Sequence, residues 1–185
     1  MLLDITLQVT QSMLDTAWSN TAQSLTGHLG THFDVMDKEF PLSYTRCPGV
    51  VFDVSALRER EILPEDIDLT QVKPGMFVAF YTGYIDAVAY GTLTYFREHP
   101  QLSDGLIDAL LDKGIAIIGI DCAGIRRTPD HVPTDRRCAQ RDVFVVENLC
   151  HLNKLLALSP TFTAYTFPLS VAGITGLPCR VVAEV

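Results

Sequence analysis

The sequence is poor in several features that whole classes of protein require. Lys and Arg number 14 against 22 Asp and Glu, which gives a formal net charge of -8. Nucleic-acid affinity rests on neutralising phosphates with basic side chains, so neither a nucleic acid nor an anionic membrane surface is an expected partner. The longest apolar run, near Gly114–Ile120, is far shorter than the roughly 20 residues of a membrane helix. The opening MLLD has no cationic segment, so no signal peptide is expected.

Cysteine is also sparse and irregularly spaced. The five cysteines are an odd number and form no CxxC pair. This pattern favours reduced thiols in a cytoplasmic protein over a disulfide framework or a zinc ribbon. The chain of 185 residues is 48% hydrophobic, which excludes extensive disorder and predicts a single domain over 1–185.

Hydrophobic periodicity predicts a mixed α/β protein with more strand than helix. Two helices are expected, Asp104–Lys113 after a Ser103 cap and Leu149–Leu158. Ser12–Gly27 is interpreted as a loop or short helix, and Arg126–Arg141 as a charged loop. Strands are predicted at Ile5–Val9, Val50–Val54, Met76–Tyr81, Ile115–Asp121, Val143–Val146, Ala164–Leu169 and Arg180–Val185.

The most informative stretch runs from Gly27 to Asp34. It contains His28, His32 and Asp34, the ligand types that suit Zn²⁺ or Mn²⁺. A helix would place the two histidines on one face but not the aspartate. A straight strand would separate the two histidines by about 13 Å, too far for one ion. A metal site therefore requires a bend, which is easiest at Gly30; the alternative is two ordinary histidines beside a turn.

Two further acids end predicted buried strands. Glu147 follows Val143–Val146, where a carboxylate is costly unless it is paired or bound to a metal. The alternative for Glu147 is a favourable position at the start of the following helix. Asp121 ends Ile115–Ile120, and we interpret it as a structural hydrogen-bond acceptor.

Taken together, several sequence blocks resemble the cyclase family of metal-dependent hydrolases, whose best-known members are bacterial kynurenine formamidases. The family's pattern His-x-Gly-Thr-His-x-Asp is present as His28-Leu-Gly-Thr-His32-Phe-Asp34. Several blocks in the right order are more specific than one metal motif. The other matching blocks are Asp4–Thr6, Pro74–Gly83, Gly119–Asp121, Val146–Leu149 and Gly173–Arg180.

The resemblance implies a swivelling β/β/α-type fold with a mixed sheet and few helices. It also implies one or two ions, Zn²⁺ or Mn²⁺, held by His28, His32, Asp34 and Glu147. The implied reaction is hydrolysis of an amide C–N bond in a small molecule, a formamide or a cyclic amide, as in an arylformamidase. The family resemblance and the positive mean hydropathy point to a homodimer or homotetramer.

The sequence departs from the family pattern at two positions and is therefore a divergent member. The family continues Asp-x-Pro-x-His, whereas this chain has Met36 and Lys38 there. Lys38 could orient substrate or act as a base, or be a solvated surface residue. The family's histidine ahead of the glutamate block falls on Asp135, with His131 as the nearest histidine. We therefore predict Lys38 and Glu147 as catalytic, and His28, His32, Asp34, Asp135 and Glu147 as metal ligands.

These departures leave a second hypothesis open, a catalytically degenerate member that binds a small molecule without turning it over. An arginine cluster could bind an anionic substrate by bidentate hydrogen bonds. The more common role of such a cluster is a salt-bridged surface loop or a subunit contact. It consists of Arg126, Arg127, Arg136, Arg137 and Arg141. His99 and His151 are interpreted as structural or surface residues.

Overall fold

The computed structural model describes residues 1–17, 27–57 and 59–185. Its main feature is one mixed sheet, whose strands are β1 (Leu2–Asp4), β2 (His32–Asp34), β3 (Arg46–Asp53), β4 (Phe77–Tyr81), β5 (Ile117–Ile120), β6 (Phe144–Glu147), β7 (Thr161–Thr166), β8 (Gly176–Pro178) and β9 (Val181–Glu184). The nine strands lie in the order β1-β9-β7-β3-β4-β5-β6-β2-β8. Neighbours from β3 to β6 are parallel, and the other pairs are antiparallel.

The helices of the described residues are short. They are α1 (Gln11–Ala17), α2 (Tyr84–Ala87), α3 (Leu93–Arg97), α4 (Asp104–Asp112), α5 (His131–Gln140) and α6 (Leu152–Leu158). Single 3₁₀ turns occur at Leu42–Thr45, Pro64–Asp66 and Leu69–Gln71. The start of α4 agrees with the prediction, because the Ser103 hydroxyl accepts the Leu106 N–H at 3.1 Å.

The middle of the sheet is covered on both faces. Along β4, Val78 and Phe80 belong to one apolar cluster, whereas Phe77 and Ala79 belong to another on the opposite face. Successive strand residues point to opposite faces, so a strand buried on both sides is apolar throughout. The mixed sheet with few helices confirms the predicted fold class.

The strand β2, next to the edge strand β8, positions the candidate site. This strand pairs antiparallel with β6 on one side and β8 on the other. Its register sets His32 directly opposite Glu147 and Pro178. Side chains directly opposite each other in an antiparallel pair have Cβ atoms about 5 Å apart. The pairing therefore brings the amino-terminal motif to the carboxylate that ends β6.

Several expectations about secondary structure need correction, since six helices occur in the described residues where two are expected and the strand predicted at Ala164–Leu169 is Thr161–Thr166. The first strand is Leu2–Asp4 rather than Ile5–Val9, because the chain turns away from the sheet where the Leu7 N–H donates to the Thr31 hydroxyl. Arg126–Arg141 is not a loop throughout, since it contains α5. Within Ser12–Gly27 the residues up to Ala17 are helical, and 18–26 lie outside the described residues.

Candidate metal centre

The chain bends sharply between the two histidines of the motif. Gly30 has φ of +69°, a left-handed conformation that glycine adopts without a steric penalty. A Cβ atom there would lie 2.6 Å from Cγ2 of Val9. The bend brings the His28 and His32 ring centroids to 4.9 Å from each other. His28, His32 and Asp34 each offer a ligand atom, and these atoms lie within 4.8 Å of one another.

A second group of side chains joins the motif from β6 and α5. Asp34, His131, Asp135 and Glu147 also offer ligand atoms within 4.8 Å of one another. His131 and Asp135 are four residues apart on α5 and therefore share one face of that helix. Asp34 belongs to both groups, so two sets of candidate ligands meet at one carboxylate.

Contacts between histidine and carboxylate link the six side chains. His28 Nε2 lies 3.1 Å from Asp34 Oδ1, and His32 Nε2 lies 3.9 Å from Asp34 Oδ2. The two Glu147 oxygens lie 3.5 Å from Nε2 of His32 and 3.5 Å from Nε2 of His131. His131 Nε2 is also 3.2 Å from Asp135 Oδ2. Each carboxylate therefore faces at least one imidazole nitrogen.

Backbone carbonyls fix the orientation of two histidines. The Nδ1–H group of His32 donates to the Gly30 carbonyl at 2.9 Å, and that of His131 donates to the Arg126 carbonyl at 3.1 Å. A carbonyl oxygen can only accept, so Nδ1 carries the proton and Nε2 offers a lone pair. This arrangement is typical of histidines that bind metals. His32 is buried, whereas His28 and His131 keep 27% and 25% of their side-chain surface exposed.

The burial of these charges changes their proton affinities. Burial, together with the charge of Asp34, raises the pKa of Asp135 well above its usual value. Burial and the charges of Asp34 and Asp135 do the same for the pKa of Glu147. Burial opposes ionisation of Asp34 too, but the adjacent imidazoles of His28 and His32 outweigh it and lower its pKa. Burial lowers the pKa of His32. Such crowded carboxylates require protons or a cation.

The residues fit a divalent cation. Five of the eight buried side-chain atoms that lack a hydrogen-bond partner within the described residues belong to this site: Nε2 of His32, Oδ1 and Oδ2 of Asp34, Oδ2 of Asp135 and Oε1 of Glu147. Buried polar atoms in proteins are nearly always satisfied, so this concentration requires an explanation. Imidazole nitrogens and carboxylate oxygens are the donors that Zn²⁺ and Mn²⁺ accept.

The structure places Lys38 apart from these six side chains. Lys38 is exposed on the turn after β2 and lines a cavity of about 850 Å³ together with Met36 and Phe167–Thr175. The arginine cluster includes three residues in ion pairs with acids. Arg126 is 2.6 Å from Glu61, and Arg137 and Arg141 are 2.8 Å from Asp104 and 3.1 Å from Asp112.

Asp121 has the structural role that its position indicated. Its carboxylate accepts hydrogen bonds from the Thr82 N–H at 2.9 Å and the Gly83 N–H at 2.7 Å. Burial raises the pKa of Asp121 to about 6, although these hydrogen bonds oppose the shift. His99 is buried, and the exposed His151 donates to the Asp4 carbonyl.

His131 is the site residue that sequence reasoning left as an alternative to Asp135. Both are present, because the segment between them is helical and brings them to one face. Their spacing of four residues was the available signal, and it was missed because the segment was interpreted as a loop.

Comparison with known proteins identifies the family of the chain. The family model "Cyclase", described as "Putative cyclase", matches residues 3–126, more than half of the chain. The chain belongs to this family, and its membership of an enzyme family was expected from the sequence. A search of curated proteins gives no match. None of the helices in the described ranges has both the length and the apolar content needed to cross a membrane.

Solved structures share the fold. A potential metal-dependent hydrolase with cyclase activity superposes with a TM-score of 0.76 at 23% identity, covering 99% of this chain and 96% of that one. A predicted metal-dependent hydrolase from Bacillus stearothermophilus gives 0.72 at 22% identity, with 99% and 97% coverage. Isatin hydrolase A from Labrenzia aggregata, bound to benzyl benzoate, gives 0.72 at 21% identity, with 85% and 73% coverage.

Proposed function

We propose that this protein is a metal-dependent hydrolase that cleaves an amide C–N bond in a small molecule, a formamide or a cyclic amide. The observation that carries the proposal is the convergence of the His28–Asp34 motif with Glu147 and α5, together with the buried ligand atoms that lack partners. The likeness to isatin hydrolase A supports the same class of substrate.

We propose Zn²⁺ or Mn²⁺ as the cofactor, bound as one or two ions. His28, His32 and Asp34 would hold one ion, and Asp135 and Glu147 would complete its shell or hold a second. Asp34 belongs to both groups, which supports a shared ligand. When bound, such an ion polarises a carbonyl and lowers the pKa of bound water toward neutrality.

The protein's own acids and imidazoles would handle the protons. Glu147 is the proposed base, because its Oε1 lacks a hydrogen-bond partner and lies 3.5 Å from Nε2 of the partly exposed His131. His131 contacts Glu147 and keeps a quarter of its side-chain surface exposed. It is therefore the residue proposed to pass a proton between Glu147, which is buried, and the solvent. The burial of His32, Asp34 and Asp135 restricts the access of water to the proposed metal site.

We propose that Lys38 orients the substrate. It follows the ligand Asp34 by four residues but is exposed and lines the neighbouring cavity. Replacing it in Lys38→Met should raise KM and leave kcat and metal content unchanged if it orients substrate. No change in KM would assign Lys38 to the solvated surface.

The second candidate function is binding of a small molecule without turnover. The exposure of Lys38, at the position where the family has an acid/base histidine, favours it. An anionic ligand has limited support, since three arginines of the cluster are already paired with acids. Hydrolysis of any member of a panel of formamides, lactams and esters would exclude this alternative.

The test of the proposed function compares two histidine variants. His32→Asn removes a buried Nε2 of the site, whereas His151→Asn alters an exposed histidine whose left-handed φ of +57° suits asparagine. We expect stoichiometric metal and amide hydrolysis in the wild type and in His151→Asn, and loss of both in His32→Asn. Stoichiometric metal in His32→Asn would contradict the assignment of the site.

We also propose a single domain over 1–185, a homodimer or homotetramer and a cytoplasmic location. The sheet includes both the first and the last strand, and the five cysteines are free, as in a reducing compartment. Phe167, Leu169 and Leu42 are exposed apolar residues around the cavity beside β2 and could be covered by another subunit. Sedimentation as a 20.4 kDa monomer at micromolar concentration would contradict the oligomer.

A further inference from the structure

A buried polar pair lies directly behind the bend of the motif. Asn148 follows Glu147 at the end of β6, has φ of +58° and is 1% exposed. Asparagine tolerates this left-handed conformation better than most residues. The Tyr95 side chain comes from α3 and is fully buried. Neither residue belongs to the candidate ligand groups, and two polar side chains in a core are costly unless they are fully hydrogen-bonded.

Hydrogen bonds connect this pair to His32 through one carbonyl group. The Tyr95 hydroxyl donates to Oδ1 of Asn148 at 2.8 Å, and Nδ2 of Asn148 donates to the Gly30 carbonyl at 3.0 Å. The same carbonyl accepts the Nδ1–H of His32 at 2.9 Å. Its two lone pairs are therefore both used. An inverted Asn148 amide would set its oxygen against the Gly30 carbonyl oxygen, so that carbonyl fixes the orientation of the amide and the Tyr95 hydroxyl satisfies Oδ1.

The backbone of Asn148 also makes hydrogen bonds, one of which connects it to Thr31 beside the bend. The Thr31 hydroxyl donates to the Asn148 carbonyl at 2.8 Å, and the Asn148 N–H donates to the Cys122 carbonyl at 3.1 Å. Asn148 thus contacts both Gly30 and Thr31, the two residues that precede His32. A shift of Asn148 would move the carbonyl that holds the imidazole.

We propose that Asn148 and Tyr95 are positioning residues that fix the tautomer and ring orientation of His32 through the Gly30 carbonyl. With Nδ1 held as a donor, Nε2 keeps its lone pair directed at Asp34 and Glu147. Partners of this kind around a metal-binding histidine affect metal affinity by about 10- to 100-fold. The consequence for metal affinity rests on the proposed function, whereas the tautomer of His32 does not.

Tyr84 provides a matched control. It is also a buried tyrosine, and its ring centroid lies 5.7 Å from that of Tyr95. Its hydroxyl, however, donates to the backbone carbonyl of Thr94 in α3 at 2.9 Å, and not to Asn148. Tyr84→Phe and Tyr95→Phe remove the same atom from neighbouring positions of one core, and only the second leaves Asn148 Oδ1 without its donor.

The experiment uses the full chain in three variants, Tyr95→Phe, Tyr84→Phe and Asn148→Gly. The glycine variant removes both side-chain bonds and tolerates the left-handed backbone. Imidazole ¹⁵N–¹H correlation spectra of the metal-free proteins report the tautomer of His32, assigned with His32→Asn. Competition with a chelator measures the Zn²⁺ affinity. We expect Tyr84→Phe to match the wild type in both measurements.

We expect Tyr95→Phe and Asn148→Gly to show a mixed His32 tautomer and about tenfold or greater loss of Zn²⁺ affinity. A wild-type tautomer in both variants would overturn the proposal, as would equal losses of affinity in Tyr95→Phe and Tyr84→Phe. Failure of the wild type to bind Zn²⁺ or Mn²⁺ would overturn the proposed function alone, because the spectra of the metal-free proteins still decide the role of the pair.

Discussion

The bend at Gly30 should be essential both for stability and for the metal site. Replacing Gly30 with alanine forces a Cβ onto a residue with φ of +69°. The left-handed conformation costs an L-residue about 1–2 kcal/mol. The new Cβ would also lie 2.6 Å from Cγ2 of Val9, against a favourable carbon–carbon separation of about 3.5–4.0 Å. Relieving such overpacking costs about 1–3 kcal/mol.

Gly75→Ala separates the two contributions. Gly75 has φ of +73°, but a Cβ there would meet nothing within 4 Å, and the residue is exposed. It should therefore lose only the conformational part, about 1–2 kcal/mol. Gly30→Ala should lose about 2–5 kcal/mol, the sum of both effects. Because Gly30 also presents its carbonyl to His32, only its substitution should weaken metal binding.

Urea unfolding of the two metal-free variants and of the wild type measures the free energies, and chelator competition measures Zn²⁺ affinity. Equal destabilisation by Gly30→Ala and Gly75→Ala would refute the steric part of the reasoning. Wild-type affinity in a folded Gly30→Ala protein would refute the claim that the bend gathers the ligands.

Two further outcomes are expected away from the site. His99 is 1% exposed, and burial lowers its pKa from 6.5 to about 4. As the pH falls, the unfolded chain therefore binds a proton at this histidine before the folded chain does. The contribution of neutral His99 to the free energy of unfolding is complete above pH 6.5 and declines toward pH 4, by up to about 3 kcal/mol. His99→Gln should flatten this part of the stability–pH curve in denaturant titrations, and an unchanged slope would contradict it. Ser103→Ala removes the acceptor for the Leu106 N–H and should lower the free energy of unfolding by about 1 kcal/mol with unchanged Zn²⁺ affinity, whereas no loss of stability would show that the cap contributes nothing.

The elements that could be predicted from sequence have a strong local signal. The apolar residues of β4 and β5 reflect burial on both faces, and α4 combines a serine cap with leucines at helical spacing. The bend at Gly30 followed from distance alone, since two histidines four residues apart on an extended chain cannot share one ion.

The helix α5 was not predicted because only half of its buried residues are apolar, and these two, Cys138 and Ala139, are small. Its buried residues are Thr134, Asp135, Cys138 and Ala139, so hydrophobic periodicity, the main sequence signal for a helix, is nearly absent. Pro133 lies in the first turn, where its missing N–H costs nothing. The helix presents Asp135 to the site and only the small side chains of Cys138 and Ala139 to the hydrophobic core.

The first strand was misplaced for a related reason. Ile5 is fully buried and Leu7 is half-buried, which produced an alternating pattern. The Ile5 N–H still donates to the Val181 carbonyl of β9, but the chain leaves the sheet beyond it, where the Leu7 N–H donates to the Thr31 side chain and not to a neighbouring strand. The alternating pattern of Ile5–Val9 therefore reflects burial of these side chains beside the site and does not indicate a strand of the sheet.

The most direct measurement is an anomalous difference map from crystals grown with Mn²⁺ or Zn²⁺, recorded at the absorption edge of the metal. We expect one or two peaks among the imidazoles of His28, His32 and His131 and the carboxylates of Asp34 and Glu147. A featureless map in that position at saturating metal, or a peak only elsewhere on the molecule, would contradict the assignment of these side chains as a metal centre.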